Sequence, residues 1–335
     1  MALLEVHNLT VDFNLGVESL RAVDDVSFTL EPGEALGIVG ESGSGKTVTA
    51  LSIMRLLDPA ARITRGQIWF GGQDLVTRDE SAMESIRGRR IGMVFQEPMT
   101  SLNPGYTVGE QVAEVYRHHL HLSHAEARRR TVAMFERVKL PGAREMFNKY
   151  PHEFSGGMRQ RVTIAAALAC GPSLLIADEP TTAVDVTIQA QILSLLGELQ
   201  RDMNLALLFI SHDLAVVSEL CTRAAVLYGA KLMEVGSTDA IFTAPRHPYT
   251  AGLINSVPQR GQPLQGVPGT IFDLRAPPPG CRFHPRCVHA QPRCNRDIPE
   301  LTRSPASTPA ERGHVYACHY PLARGNTTDV KTGPA

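Results

Sequence analysis

The chain has 335 residues, 43% of them hydrophobic, six cysteines and a formal net charge of −1. That length allows a large core and two or three domains. The near-neutral balance gives no electrostatic footprint for nucleic acid or an anionic membrane. The start "MALLEVHNLTVDF" lacks the basic-then-apolar pattern of a secretory signal, and no run reaches the ~18–20 apolar residues of a membrane helix. The expectation is a soluble, cytoplasmic protein with reduced cysteines, touching a membrane only through partners. The arginines at 87, 89 and 90 and at 128–130 read as solvated faces.

In chain order, "GEALGIVG" (33–40) reads as a buried strand ending in glycine, and "KTVTALSIMRLL" (46–57) as a helix stopped by Asp58-Pro59. "GQIWFGGQDL" (66–75) and "RIGMVFQ" (90–96) read as strands. Residues from about 105 to 150 are mostly helical in pattern, and "MRQRVTIAAALA" (158–169) is a further helix. "SLLIADEP" (173–180) and "LALLFISHD" (205–213) are buried strands flanking the amphipathic helix "IQAQILSLLGELQRDM" (188–203). "AAVLYGAKLMEVG" (224–236) is a hairpin turning at Gly229-Ala230. Buried strands alternating with helices predict an α/β fold with a mainly parallel sheet. From about residue 240 the composition shifts to Pro, Arg, Cys and His, and a tail over 323–335 reads as disordered.

"GESGSGKT" (40–47), after a strand and before a helix, fits G-x-x-x-x-G-K-[ST]. Gly40, Gly43 and Gly45, with Ser42 and Ser44 between them, let backbone N–H groups line an anion site at the helix N-terminus. Lys46 supplies a point charge to the β- and γ-phosphates, and Thr47 a hydroxyl to Mg²⁺. "LLIADE" ends a buried strand with two acids. Asp178 is placed for Mg²⁺ and Glu179 for deprotonating an attacking water; adjacent buried acids would be costly as structure alone. Gln96 and His212 each end a strand, and their meaning depends on the set. "FSGGMRQR" (154–161) opens a helix with Ser155, Gly156 and Gly157, a second anion-binding terminus. Both termini can meet one nucleotide if two chains pair head to tail.

Together these motifs resemble the ATP-binding cassette (ABC) family over residues 1 to about 240. The resemblance implies a P-loop NTPase with a RecA-like core, a β subdomain and a helical subdomain near 97–165. In its terms Gln96 is the Q-loop residue and a further magnesium contact, Asp185 the D-loop aspartate, and His212 the switch histidine. Ser155, Gly156, Gly157 and Gln160 form the signature, here with Phe154 and Met158 where Leu-Ser-Gly-Gly-Gln is common. Phe13 stands where the family has an aromatic on adenine; a core phenylalanine is the alternative. "VFQEPMTSLNP" (94–104), "RHPYT" (246–250) and an extension over 241–322 with "PPGCRFHPRC" resemble the oligopeptide, dipeptide and nickel importers. The resemblance then implies an ATPase with ATP and Mg²⁺, driving peptide uptake, or uptake of nickel or another small solute. Its implied partners are a second, different ATPase subunit, two permeases and an extracytoplasmic binding protein, at the cytoplasmic face of the cell membrane. The helical lobe near 97–115 would receive the permeases. A non-transport cassette ATPase acting on nucleic acid or in translation is the rival class, set against by a single cassette, no sustained heptads and neutral charge.

Cys281, Cys287, Cys294 and Cys318 offer four thiolates with no tight C-x2–4-C pair, the usual mark of zinc. An [4Fe–4S] cluster tolerates such spacing, and some importers of this group resemble the pattern; zinc or unligated thiols stay open. His284, His289, His314 and His319 are candidates to hydrogen-bond the ligands of such a centre or to replace one of them. Cys170 and Cys221 read as core residues, and the histidines of "RHHLHLSH" (117–124) as a solvated helical surface.

Overall fold

The computed structural model describes residues 2–14, 16, 19–96, 101–182, 184–257, 266–305 and 313–323. The chain forms two compact units. One is drawn from the segment up to Leu30, from Ala35–Val76 and from Ser211 onward; the other from Glu31–Glu34 and Thr77–Ile210.

In the first unit a four-stranded antiparallel sheet runs in the order Ser19–Leu30, Leu4–Asn14, Ala61–Phe70, Gln73–Asp74. Leu4, Val6, Leu9 and Val11 all face the core. A register shift at Asn8, left-handed at φ 48°, keeps them there, and its side-chain amide donates to Asp25 at 2.8 Å. That shift breaks the two-residue period, and the first two strands are not among the sequence expectations. The stretch 66–75 is a hairpin rather than one strand, because Gly71 and Gly72 both take positive φ (54° and 77°).

A second group of strands in this unit begins with Ala35–Val39, buried at every position and parallel to Arg223–Tyr228. The expected hairpin turns at Gly229 and Ala230 into Lys231–Ser237. The extension adds Val315–Tyr316 against Glu234 and Val235, then Thr302–Arg303. Helix Lys46–Met54 ends earlier than its pattern suggested, at a left-handed Arg55. Phe283 of the extension packs against the fully buried Tyr228 and Tyr249, each ring pair 5.3 Å apart.

The second unit holds three parallel strands, Ile91–Val94, Leu174–Asp178 and Ala206–Ser211, the last reaching the unit's boundary. The helical stretch resolves into Val108–Leu120, His124–Arg137 and Ala143–Met146. Thr107 and Ser123 cap the first two, each accepting from an amide three residues on. These helices and Gly156–Leu168 pack on Phe135, Tyr116 and Leu168. Cys221 is buried as expected, whereas Cys170 is half-buried. Among the described residues no helix is long and apolar enough to cross a membrane. Residues 97–100 and the tail beyond 323 lie outside the described residues.

Candidate active site

The phosphate loop is built by the first unit. Strand Ala35–Val39 delivers Gly40, where a Cβ would stand 2.1 Å from the Leu227 carbonyl oxygen, so only glycine fits. Gly45 caps the following helix at φ 100°, and a Cβ there would meet the Ala22 carbonyl at 2.4 Å. Lys46 is buried at 5% exposure, and the Gly40 and Glu41 carbonyls accept from its Nζ at 2.8 and 3.0 Å. Ser44 is fully buried with no partner for its hydroxyl, a donor that a phosphate oxygen would complete. Thr47 is half-buried and Ser42 and Gly43 are exposed at the loop's rim. Phe13 is half-buried at the end of its strand, not a core residue. His212 is exposed directly after strand Ala206–Ser211.

The acids belong to the second unit. Asp178 ends its strand at 2% exposure. Glu179 follows in the left-handed region at φ 44°, a conformation that costs about 1–2 kcal/mol for a residue with a Cβ. Its amide is held by the Ile210 carbonyl at 3.0 Å. Its Oε2 accepts from Gln96 Nε2 at 3.3 Å and Thr182 Oγ1 at 2.9 Å. The structure thus brings Gln96 and Glu179 together and adds Thr182, which sequence reasoning missed.

Ser155 caps helix Gly156–Leu168, accepting from the Met158 amide, and is itself exposed. Gly157 is obligatory for packing: a Cβ would stand 2.5 Å from Ile188 Cγ2. Gln160 is likewise buried, at 1% exposure, with an unpartnered amide nitrogen. Asp185 caps helix Val186–Asp202, accepting from Ile188 N at 3.0 Å, beside Val186 at 83% exposure.

The four extension cysteines, widely spaced in sequence, line one cavity together with His247 and His289. Cys281 and Cys294 are buried and tied by a Cys281 N–H to Cys294 carbonyl bond of 2.8 Å. Burial pushes the thiols of Cys281, Cys287 and Cys318 up, to about 11 for Cys287 and about 12 for Cys318. Among the described residues no group of three His, Cys, Asp or Glu side chains is arranged to hold one metal ion. His247 is kept neutral, its pKa lowered to about 4 by burial. Its Nδ1 accepts from the Tyr249 amide at 3.0 Å, which puts the ring proton on Nε2, and that nitrogen is buried without a partner. His289 Nε2 is in the same condition. His284 Nδ1 lies 2.9 Å from the Cys281 carbonyl, and His319 Nε2 lies 2.9 Å from that of Asp297.

The extension motif "RHPYT" has a structural centre the sequence did not disclose. Glu234, fully buried, accepts from the Arg246 and His247 amides at 2.7 and 3.0 Å and lies 2.7 Å from His314 Nε2.

Comparison with known proteins places these features. The family described as ABC transporter matches residues 23–182, and the oligopeptide/dipeptide transporter C-terminal region matches residues 233–294. The oligopeptide transport ATP-binding protein OppD of Salmonella typhimurium is 48% identical over 323 residues, 96% of this chain and 94% of its own. A putative peptide import ATP-binding protein of Brucella abortus is 48% identical over 303 residues, 90% of this chain and 91% of its own. Among solved structures, the dimeric post-hydrolysis state of the ATP-binding cassette MJ0796 with ADP and Pi matches with a TM-score of 0.63 and 28% identity, over 70% of this chain and 98% of that one.

Proposed function

The chain belongs to the ATP-binding cassette transporter family, with the C-terminal region of its oligopeptide/dipeptide branch, and from that we propose that it is the ATP-hydrolysing subunit of a membrane importer of di- or oligopeptides. The observation that carries the reading is the coexistence in one chain of a glycine-built phosphate loop and this peptide-transporter extension.

In this reading ATP's phosphates enter the loop at Gly40, Ser42, Gly43, Ser44 and Gly45, and Lys46 exchanges its two carbonyls for phosphate oxygens. Phe13 stacks on adenine. Glu179 takes the proton from the attacking water, and Gln96 and Thr182 fix its carboxylate. His212 contacts the γ-phosphate. Thr47, Gln96 and Asp178 are the residues that would hold Mg²⁺, which when bound neutralises charge on the β- and γ-phosphates.

The helix terminus at Ser155, Gly156 and Gly157, exposed at Ser155, with Asp185 and Val186, faces a second ATPase subunit, and each ATP lies between the two. Gln160 belongs to the same signature. ATP contacting both subunits favours the closed pair, and losing the γ-phosphate shifts the populations back. The related cassette solved as a dimer supports this. Ser155→Arg is expected to lower ATP turnover of the assembled transporter about 10²-fold, by blocking the donors at this terminus; unchanged turnover sinks the composite site.

The partners are the second ATPase, two permeases docking on the helical lobe near 97–115 of the helical subdomain (about 97–165) and an extracytoplasmic binding protein, with the chain peripheral at the cytoplasmic membrane face. Residues 1–240 form the ATPase domain and 241–322 the extension.

For the cysteines the reading is an [4Fe–4S] site. It is supported by four thiols around one cavity and by His247, whose unpartnered Nε2–H suits a sulfur acceptor. A single zinc needs all four sulfurs about 2.3 Å from one point, whereas a cluster takes one thiolate at each corner. Its role here is to tie Pro-rich chain together. Purified without oxygen, the protein is expected to carry about four irons and four sulfides per chain, lost in Cys287→Ser. One zinc without sulfide, or no metal, overturns the cluster and leaves the ATPase reading untouched.

A further inference from the structure

We propose that Arg286, in the C-terminal extension, is a positioning residue for the phosphate loop: it fixes Glu41, and through Glu41 the backbone that holds Lys46. The inference rests on the ATP-site reading above and deepens it.

Glu41 is the second residue of "GESGSGKT". Arg286 binds its carboxylate at both oxygens, NH1 to Oε2 at 2.6 Å and NH2 to Oε1 at 3.0 Å. Such a fork fixes orientation as well as distance. The guanidinium is itself held firmly. Its side chain is 6% exposed. It donates to the Pro268 and Val267 carbonyls and to the Tyr228 hydroxyl, and lies 5.5 Å from the Tyr228 ring centre. A second extension residue grips the same peptide: the Glu41 N–H donates to the hydroxyl of the buried Tyr249 at 3.0 Å. The Glu41 carbonyl in turn accepts from Lys46 Nζ at 3.0 Å. Side chain, N–H and C=O of one loop residue are therefore all engaged, two of the three by the extension.

The arrangement has an electrostatic consequence. An acid on a loop built for a polyphosphate repels its ligand unless a cation is matched to it. Arg286 supplies that cation from outside the loop, leaving Lys46 for phosphate. Arg286 directly precedes Cys287, so the segment that gathers the cysteines also aims the guanidinium.

The test is titration of purified full-length chain with Mg-ATP by calorimetry, alongside thermal melts. Lys46→Ala serves as the control for the loop itself. Arg286→Ala is expected to weaken ATP binding about tenfold, the worth of one charge-assisted hydrogen bond. Glu41→Gln loses the fork but also removes the loop's acid, so it is expected to weaken binding less than Arg286→Ala, and the double variant to bind no worse than the weaker single one. Glu41→Gln leaves Arg286 its bonds to Pro268 and Val267, so it carries the test if Arg286→Ala does not fold. A lowered melting point with unchanged ATP affinity, or additive losses in the double variant, overturns the proposal. If Lys46→Ala binds ATP like the unsubstituted chain, the ATP-site reading fails first.

Discussion

Replacing Glu179 with Gln is expected to lower ATP turnover by about 10²–10⁴-fold, the usual worth of a general base, while ATP binding persists. The geometry explains why the two effects separate. Glu179 follows the buried Asp178 in a left-handed conformation, at φ 44°, and the Ile210 carbonyl holds its amide. A glutamine keeps the volume and still accepts from Thr182. It cannot take a proton from water at neutral pH. The phosphate loop, including the Lys46 bonds to Gly40 and Glu41, is untouched. Single-turnover and steady-state assays of the assembled transporter check this. Normal turnover in Glu179→Gln would assign the base elsewhere.

Gly45→Ala is the second large effect, and Gly43→Ala is its internal control. Both glycines are left-handed, at φ 100° and φ 77°. At Gly43 a Cβ meets nothing within 4 Å, so alanine there costs only backbone strain, about 1–2 kcal/mol. At Gly45 the Cβ meets the Ala22 carbonyl oxygen at 2.4 Å, and a backbone oxygen cannot rotate away. Overpacking then adds about 1–3 kcal/mol to the strain. Relief would come by moving the start of helix Lys46–Met54, which carries Lys46 and Thr47. The expected result is a larger fall in melting temperature, and a larger loss of ATP affinity, for Gly45→Ala than for Gly43→Ala. Equal effects at the two positions would contradict this account of the loop.

The phosphate loop, the two acids, Gln96, His212 and the Ser155 terminus were legible because each is a local pattern: a strand, a short run of fixed residue types, a helix. The first two strands were not legible, because the register shift at Asn8 breaks their alternation. The burial of Gln160 was not legible, because its motif says nothing about which way the side chain turns on helix Gly156–Leu168. The cysteines were visible as a set, but their gathering around one cavity depends on residues from 281 to 318 meeting in space. Least legible were Glu41 and Arg286. Their bond spans 245 residues, and neither residue type is unusual where it stands. The buried Glu234 is similar: an acid in an apolar strand, explained only by the amides of Arg246 and His247 that converge on it.

The measurement that tests the central claim most directly is uptake of a labelled oligopeptide by the source cells with the chromosomal copy of this chain replaced by Glu179→Gln. The account expects accumulation with the unsubstituted chain and none with the substituted one, at equal protein level. Undiminished peptide accumulation in Glu179→Gln cells would contradict it.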